Sequence, residues 1–185
     1  MNKQHMETLF RYARSSIETR FNNKEFKPEN IPVELKEERG VFVTLTINNE
    51  LRGCIGQVNP TPLWKGVIEA ARSSAFSDPR FMPLSKEEYK QVVIELSILS
   101  KPVKTTLKEI SKGDGVIINE NNHSALFLPQ VWDQLPSKEE FLTNLALKAG
   151  LSDYKNALFE KFTVKAWKEL SPRGLIKPVN PQDKD

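Results

Sequence analysis

Near the start of the chain apolar residues recur at helical intervals: Met6, Leu9, Phe10, Ala13 and Ile17, with polar residues between them. That spacing predicts an amphipathic helix over residues 4–21. Residues 22–32 are polar and broken by Pro28 and Pro32, so a loop follows. Gly40 then opens the β-rich run Val41–Ile47. Asn48, Asn49 and Glu50 turn the chain into Leu51–Val58, which is the pattern of a β-hairpin. Thr61 offers an N-cap with Pro62 at the first helical position. Trp64, Val67, Ile68, Ala71 and Ala75 mark the buried face of a helix reaching about Phe76.

Residues 77–84 contain Pro79 and Pro83 and predict a conformationally fixed loop rather than helix. Ser85 and Glu88 have the spacing of a capping box, which opens a short helix. Val92–Leu99 reads as a buried strand interrupted by Glu95 and Ser97.

The same order then recurs. Gly115–Asn119 leads through a polar turn, Glu120–His123, to Leu126–Leu128 and Pro129-Gln130-Val131. Helical sequence follows over Ser137–Ala149, again with a Ser-x-x-Glu box, and then a strand over Phe159–Trp167. A duplicated unit of hairpin, helices and strand is the expectation, with lobes at residues 40–99 and 115–168. The fold class is α+β: two lobes of antiparallel sheet with helices and a cleft between the lobes. The proline-rich tail from Ser171 is expected to wrap the surface or fray.

A chain of 185 residues can bury a core without staples. Cys54 is the single cysteine, so no internal disulfide forms and no multi-cysteine zinc site exists. His5 and His123, the two histidines, lie far apart in unlike surroundings, which argues against a metal site. A net charge of +3 with no block of like charges makes nucleic acid an unlikely partner, although the pI near 8.9 permits it. No apolar signal core and no membrane-length run appears, and the expected location is cytoplasmic.

The segment Leu51–Gly56, LRGCIG, concentrates the candidate chemistry. Strand alternation sets Arg52 and Cys54 side by side on one face. A nearby cation favours the thiolate, the reactive form of cysteine. Gly53 in mid-strand marks close approach of a ligand or of another backbone. Gly56 ends the strand just before a helix start, where free N–H groups and Arg52 together could hold a carboxylate or phosphate. Aligning the two repeats puts Phe127 at the position of Cys54 and Ala125 at that of Arg52, so one copy alone carries the polar pair.

Each candidate has a structural alternative. Cys54 reads as a nucleophile or as a small buried hydrophobe. Arg52 reads equally as an anion ligand or as half of a salt bridge, with Glu95 as the suggested partner. Glu95, inside an apolar strand, is either such a partner or an acid or base with a raised pKa. Asp78, followed by Pro79 and Arg80, is either an Asx-type cap with Arg80 packed across it or part of a rigid loop flanking the site. His123 reads as solvent-facing, and Trp64, Trp132 and Trp167 as core.

LRGCIG, then FSDPRFMPL, VVIELSILSKP, GDGVII, LFLPQV and FLTNLALKAGL, in that order, resembles the AMMECR domain family over residues 5–169. Ala125 departs from the glycine common at that place in the family. The resemblance implies a single AMMECR-like domain over residues 1–185, of two lobes, with LRGCIG contributing to a cleft. It also implies association, within the AmmeMemoRadiSam system, with a Memo-like protein and a radical-SAM enzyme. It supplies no reaction and no cofactor.

Two functional expectations result. The first is an enzyme or small-anion-binding protein, with Cys54 and Glu95 in catalytic roles and Arg52, Gly53, Gly56, Asp78 and Arg80 in ligand binding. The second is a non-catalytic partner-binding component.

Overall fold

A computed structural model describes residues 1–179. Helix α1 spans Lys3–Arg20, and its five predicted apolar positions are all buried. Asn2 caps it by accepting from the His5 N–H, which satisfies one of the free donors of the first turn. Strands β1 (Glu38–Ile47) and β2 (Glu50–Pro62) form the predicted hairpin. Its loop is two residues long, Asn48 and Asn49, both at positive φ, a geometry that matches the twist of the flanking strands.

Strand β2 runs further than the sequence suggests, and Pro62 is the cap of α2 (Leu63–Phe76) rather than its first residue. The capping box is present, with both of its reciprocal hydrogen bonds, at α3 (Lys86–Tyr89). Strand β3 follows at Val93–Leu99. A short strand, β4 (Val103–Thr105), carries too few residues to announce itself by periodicity. Then come β5 (Gly115–Glu120), β6 (His123–Phe127) and α4 (Lys138–Lys148).

The strand expected over Phe159–Trp167 is two strands. The chain breaks at Thr163 into β7 (Leu158–Phe162) and β8 (Val164–Glu169), and the two halves enter different sheets. The tail from Ser171 is also more ordered than expected: β9 (Ile176–Val179) pairs with β8. Residues 180–185 of that tail lie outside the described residues.

Two units result. The first holds residues 1–99 together with residues 165–179. Its sheet has the order β2-β1-β3-β8-β9. Val41, Val43 and Leu45 of β1 and Ile94 and Leu96 of β3 point to one face, where α1 and α2 bury them. Arg14 of α1 and Glu169 of β8 form an ion pair inside this core. Arg14 also donates to the Val92 carbonyl (2.6 Å), and Glu169 accepts from the Ile94 N–H (2.8 Å). Burial pulls the Arg14 pKa down, but its bonds to Glu169 more than offset this and the net direction is upward.

The second unit, residues 100–164, has a sheet of order β4-β7-β5-β6 around Val116, Ile118, Phe141 and Phe159. Trp132 is buried there, stacked on Phe141 at 3.9 Å, with its indole N–H donating to the Asp114 carbonyl. Trp64 and Trp167 pack against the first core. The units share a strand order, with a third strand beside the first strand of a hairpin: β3-β1-β2 in one and β7-β5-β6 in the other.

The alignment of the hairpins moves by one residue. Counted from the turns, Leu45–Gly53 corresponds to Ile118–Ala125, and Thr44–Cys54 to Ile117–Leu126. Ala125 therefore stands where Gly53 does, and Leu126, not Phe127, where Cys54 does. The cause is a β-bulge: Leu51 pairs with Thr46 and Gly53 with Leu45, which leaves Arg52 as the extra residue.

Candidate functional site

LRGCIG lies in β2 and is held from three directions. From the core side, the Ser74 hydroxyl of α2 enters the hairpin ladder. The Ile55 N–H donates to Ser74 Oγ (2.8 Å), and Ser74 Oγ donates to the Val43 carbonyl (2.7 Å). A side chain thus stands where a direct strand-to-strand bond would join Ile55 to Val43. The helix comes so close that a Cβ on Gly53 would collide with the Ser74 carbonyl oxygen. A Cβ on Gly56 would collide with the backbone of Val41 and Phe42. Both glycines are accounted for by approach of the protein's own backbone, one of the two readings their mid-strand position allows.

From the open edge, the loop after α2 pairs the backbone of Cys54. The Cys54 N–H donates to Asp78 Oδ2 (2.9 Å), and Arg80 Nη2 donates to the Cys54 carbonyl (3.3 Å). Arg80 also clasps Asp78 through Nε (3.0 Å) and Nη2 (2.8 Å), and its backbone N–H donates to Asp78 Oδ1. The two side chains occupy the donor and acceptor that a neighbouring strand would otherwise take. Asp78 is only 4% exposed. The Arg80 side chain holds its carboxyl well below the usual carboxylate range, against the opposing pull of burial and with help from the Cys54 N–H. The Asx-type turn expected of Asp78 is present, and its other oxygen reaches the site.

The third hold comes from Arg52, and it differs from expectation. Its partner is Glu88 of the capping box, not Glu95: Nε donates to Oε1 (2.8 Å) and Nη2 to Oε2 (3.2 Å). Nη2 also donates to the Met82 carbonyl (2.9 Å), and the guanidinium lies over the Phe81 ring at 5.7 Å. The bulge at Arg52 breaks the alternation that would set it beside Cys54, while Glu95 lies two strands away on β3. Glu88 is pulled down from 4.5 to about 2, first by Arg52 and then by the Ser85 backbone N–H. With a side chain 14% exposed and three hydrogen bonds to protein, Arg52 is a clamp on the loop. The accessible cation is Arg80, whose side chain is 53% exposed.

The thiol of Cys54 is half-buried and accepts a hydrogen bond from Thr44 Oγ1 (3.3 Å). Thr44 faces Cys54 on one side and Glu95 on the other, so the three residues form one cross-strand row on the sheet face away from the helices. Glu95 is half-buried and makes its own contacts. The structure therefore brings together Cys54, Asp78 and Arg80, puts Glu95 in the same row as Cys54, and directs Arg52 to Glu88. His123 is exposed in its turn, with Nδ1 3.0 Å from the Ala149 carbonyl. Among the described residues, no group of three or more His, Cys, Asp or Glu is placed to hold a metal ion, and no helix is long and apolar enough to cross a membrane.

Sequence reasoning passed over Ser74 and Thr44. Ser74 lies seven residues after Val67 and three after Ala71, on the face already read as buried, so a small polar residue there was a signal. Thr44 was hidden by the bulge, which shifts any count made from the turn.

Comparison with known proteins adds the following. A family model described as AMMECR1 matches residues 10–168. A Pyrococcus furiosus protein is 39% identical, covering 97% of this chain and 96% of its own length. A Methanocaldococcus jannaschii protein is also 39% identical, covering 90% of each. The crystal structure of an uncharacterised protein from Pyrococcus horikoshii superposes with a TM-score of 0.80 at 38% identity, over 97% of this chain and 98% of the other.

Proposed function

We propose, for a chain that belongs to the AMMECR1 family, that Cys54 and Arg80 form a binding site for an anionic small molecule or anionic side chain. The observation that carries this reading is the position of Arg80. Its guanidinium bonds the Cys54 carbonyl and is anchored on buried Asp78, yet half of its side chain remains exposed. A cation fixed in place and open to solvent suits carboxylate or phosphate recognition. Arg52 drops from ligand to scaffold in this reading, while Gly53 and Gly56 let the backbone pack around the site. Thr44 orients the thiol, and Cys54 is the group that would turn binding into chemistry, with Glu95 in its row as the nearby carboxylate. The reading includes a cytoplasmic setting, where a single thiol stays reduced.

Alkylation of Cys54 in the folded protein tests it. Iodoacetate and iodoacetamide differ in charge, and their rate ratio reports whether anions are favoured at the sulfur. The expected ratio exceeds that of free glutathione and falls to the glutathione value in Arg80→Ala. A wild-type ratio equal to that of glutathione, or a thiol inert to both reagents, overturns the reading.

A second reading is a component that binds a protein partner, the family resemblance suggesting a Memo-like or a radical-SAM protein. It is favoured by Met82, 80% exposed on the loop that Arg52 clamps. Association of purified partners that survives Cys54→Ser but is lost on Met82→Asp would support it. Absence of association, with or without small molecules, would remove it.

A further inference from the structure

The Asp78–Arg80 pair closes the edge of β2 at Cys54 and no further. Cys54 turns its N–H and C=O outward, away from β1. Alternation in an antiparallel strand turns those of Gly56 outward as well. No side chain or loop among the described residues bonds them. Beside this stretch lies a depression of about 290 Å³, walled by Gly56 and Gln57 of β2 and by Gly66, Glu69, Arg72 and Ser73 of α2. Gly66, Glu69 and Ser73 fall on one flank of the helix at three- and four-residue spacing. The side chains of Arg72 and Gln57 make no hydrogen bond or ion pair with other described residues, while their backbones belong to α2 and to the β1–β2 ladder. Glu69 has only a long contact of 3.8 Å with Lys65.

We infer that this groove between the β2 edge and α2 is a docking site for an extended peptide segment carrying a carboxylate. The peptide adds one short strand at Gly56, and its carboxylate meets Arg72. The backbone groups of Gly56 supply a donor and an acceptor in the spacing of a strand pair, which is how an open edge recruits a peptide. From Gly66 to Ser73 the helix rises about 10 Å, the length of roughly three extended residues. A small free ligand would find little enclosure here, whereas a main chain needs only the edge. The site does not involve the Cys54 thiol, and its fate is separate from that of the anion site at Arg80.

Two fluorescein-labelled seven-residue threonine–valine peptides serve as probes, one with a central aspartate and one with a central lysine. Fluorescence anisotropy is expected to show the aspartate peptide binding at least about tenfold more tightly, with the preference reversed in Arg72→Glu. Arg72 projects from the outer side of α2, and the melting temperature of the variant is measured to show that it folds as wild type. Amide hydrogen exchange supplies a second readout: the bound peptide is expected to slow Gly56 and leave Cys54, already bonded to Asp78, unchanged. Equal binding of the two peptides, binding that leaves Gly56 unprotected, or binding of neither peptide overturns the inference. So does a stable dimer of the chain that protects Gly56 without any peptide, since a second copy would then be the occupant.

Discussion

The carbonyl oxygen of Ser74 occupies the place where a β-carbon on Gly53 would sit. Helix α2 can therefore lie on the hairpin only because residue 53 has no side chain. The obstacle to a larger residue is backbone, which cannot rotate away. Gly53→Ala is expected to destabilise the first unit by about 1–3 kcal/mol, toward the upper end, as overpacking does when the neighbour is fixed. A lowered denaturant midpoint at unchanged slope is the sign of it. An unchanged midpoint would mean that the helix and strand are not in this contact.

Ser74 itself bridges Ile55 and Val43, so Ser74→Ala leaves a half-buried N–H and a buried carbonyl facing each other across a ladder held open by the helix. The expected cost is about 1–3 kcal/mol, the penalty for stranding buried polar groups. Amide exchange should locate the effect: Ile55 speeds up in the variant, while amides of the second unit do not change.

Acid should loosen the loop that carries Asp78 and Glu88. Both carboxyls titrate lower in the folded chain than in an unfolded one, so each contributes stability that is fully present above its unfolded pKa. For Glu88 that contribution fades as pH falls from 4.5 to about 2. For Asp78 the loss extends lower still. Glu88→Gln should flatten the part of the pH–stability curve assigned to it and leave the Asp78 part. A curve identical to wild type would show that the Arg52–Glu88 contact is absent in solution.

The Arg14–Glu169 pair predicts strong non-additivity. Removing one partner, as in Arg14→Met or Glu169→Leu, strands a buried charge and is expected to cost about 3–5 kcal/mol. The double variant should lose much less than the sum of the two singles, as a double-mutant cycle on thermal or denaturant unfolding would report. Additive losses would indicate that the two charges do not depend on each other.

What could be read in the sequence was what is local. Helix α1 follows from five apolar residues at helical spacing. The first hairpin follows from two asparagines between β-rich runs, and the start of α3 from a serine and a glutamate three apart. The split at Thr163 was not visible, because a β pattern says that residues are extended and not which sheet receives them.

At the candidate site, LRGCIG and the DPRF loop both stood out, and the Asx turn of Asp78 was expected. The partner of Arg52 was assigned wrongly because a bulge changes which way a side chain points, and no residue type announces a bulge here. Glu88 had already been given a role as a cap, and one carboxylate serving both Ser85 and Arg52 leaves no separate trace in sequence.

The order in which the first unit receives its parts has a consequence during synthesis. Its sheet takes β1 to β3 from the front of the chain and waits for β8 and β9 until the whole second unit has left the ribosome. In that interval Arg14 has no Glu169 to neutralise it, and β3 has an unfilled flank. The N-terminal unit therefore cannot be finished first, contrary to the usual vectorial order. A nascent chain stalled before residue 164 should remain protease-sensitive in α1, and release of the last strands should protect α1 and β9 in a single step.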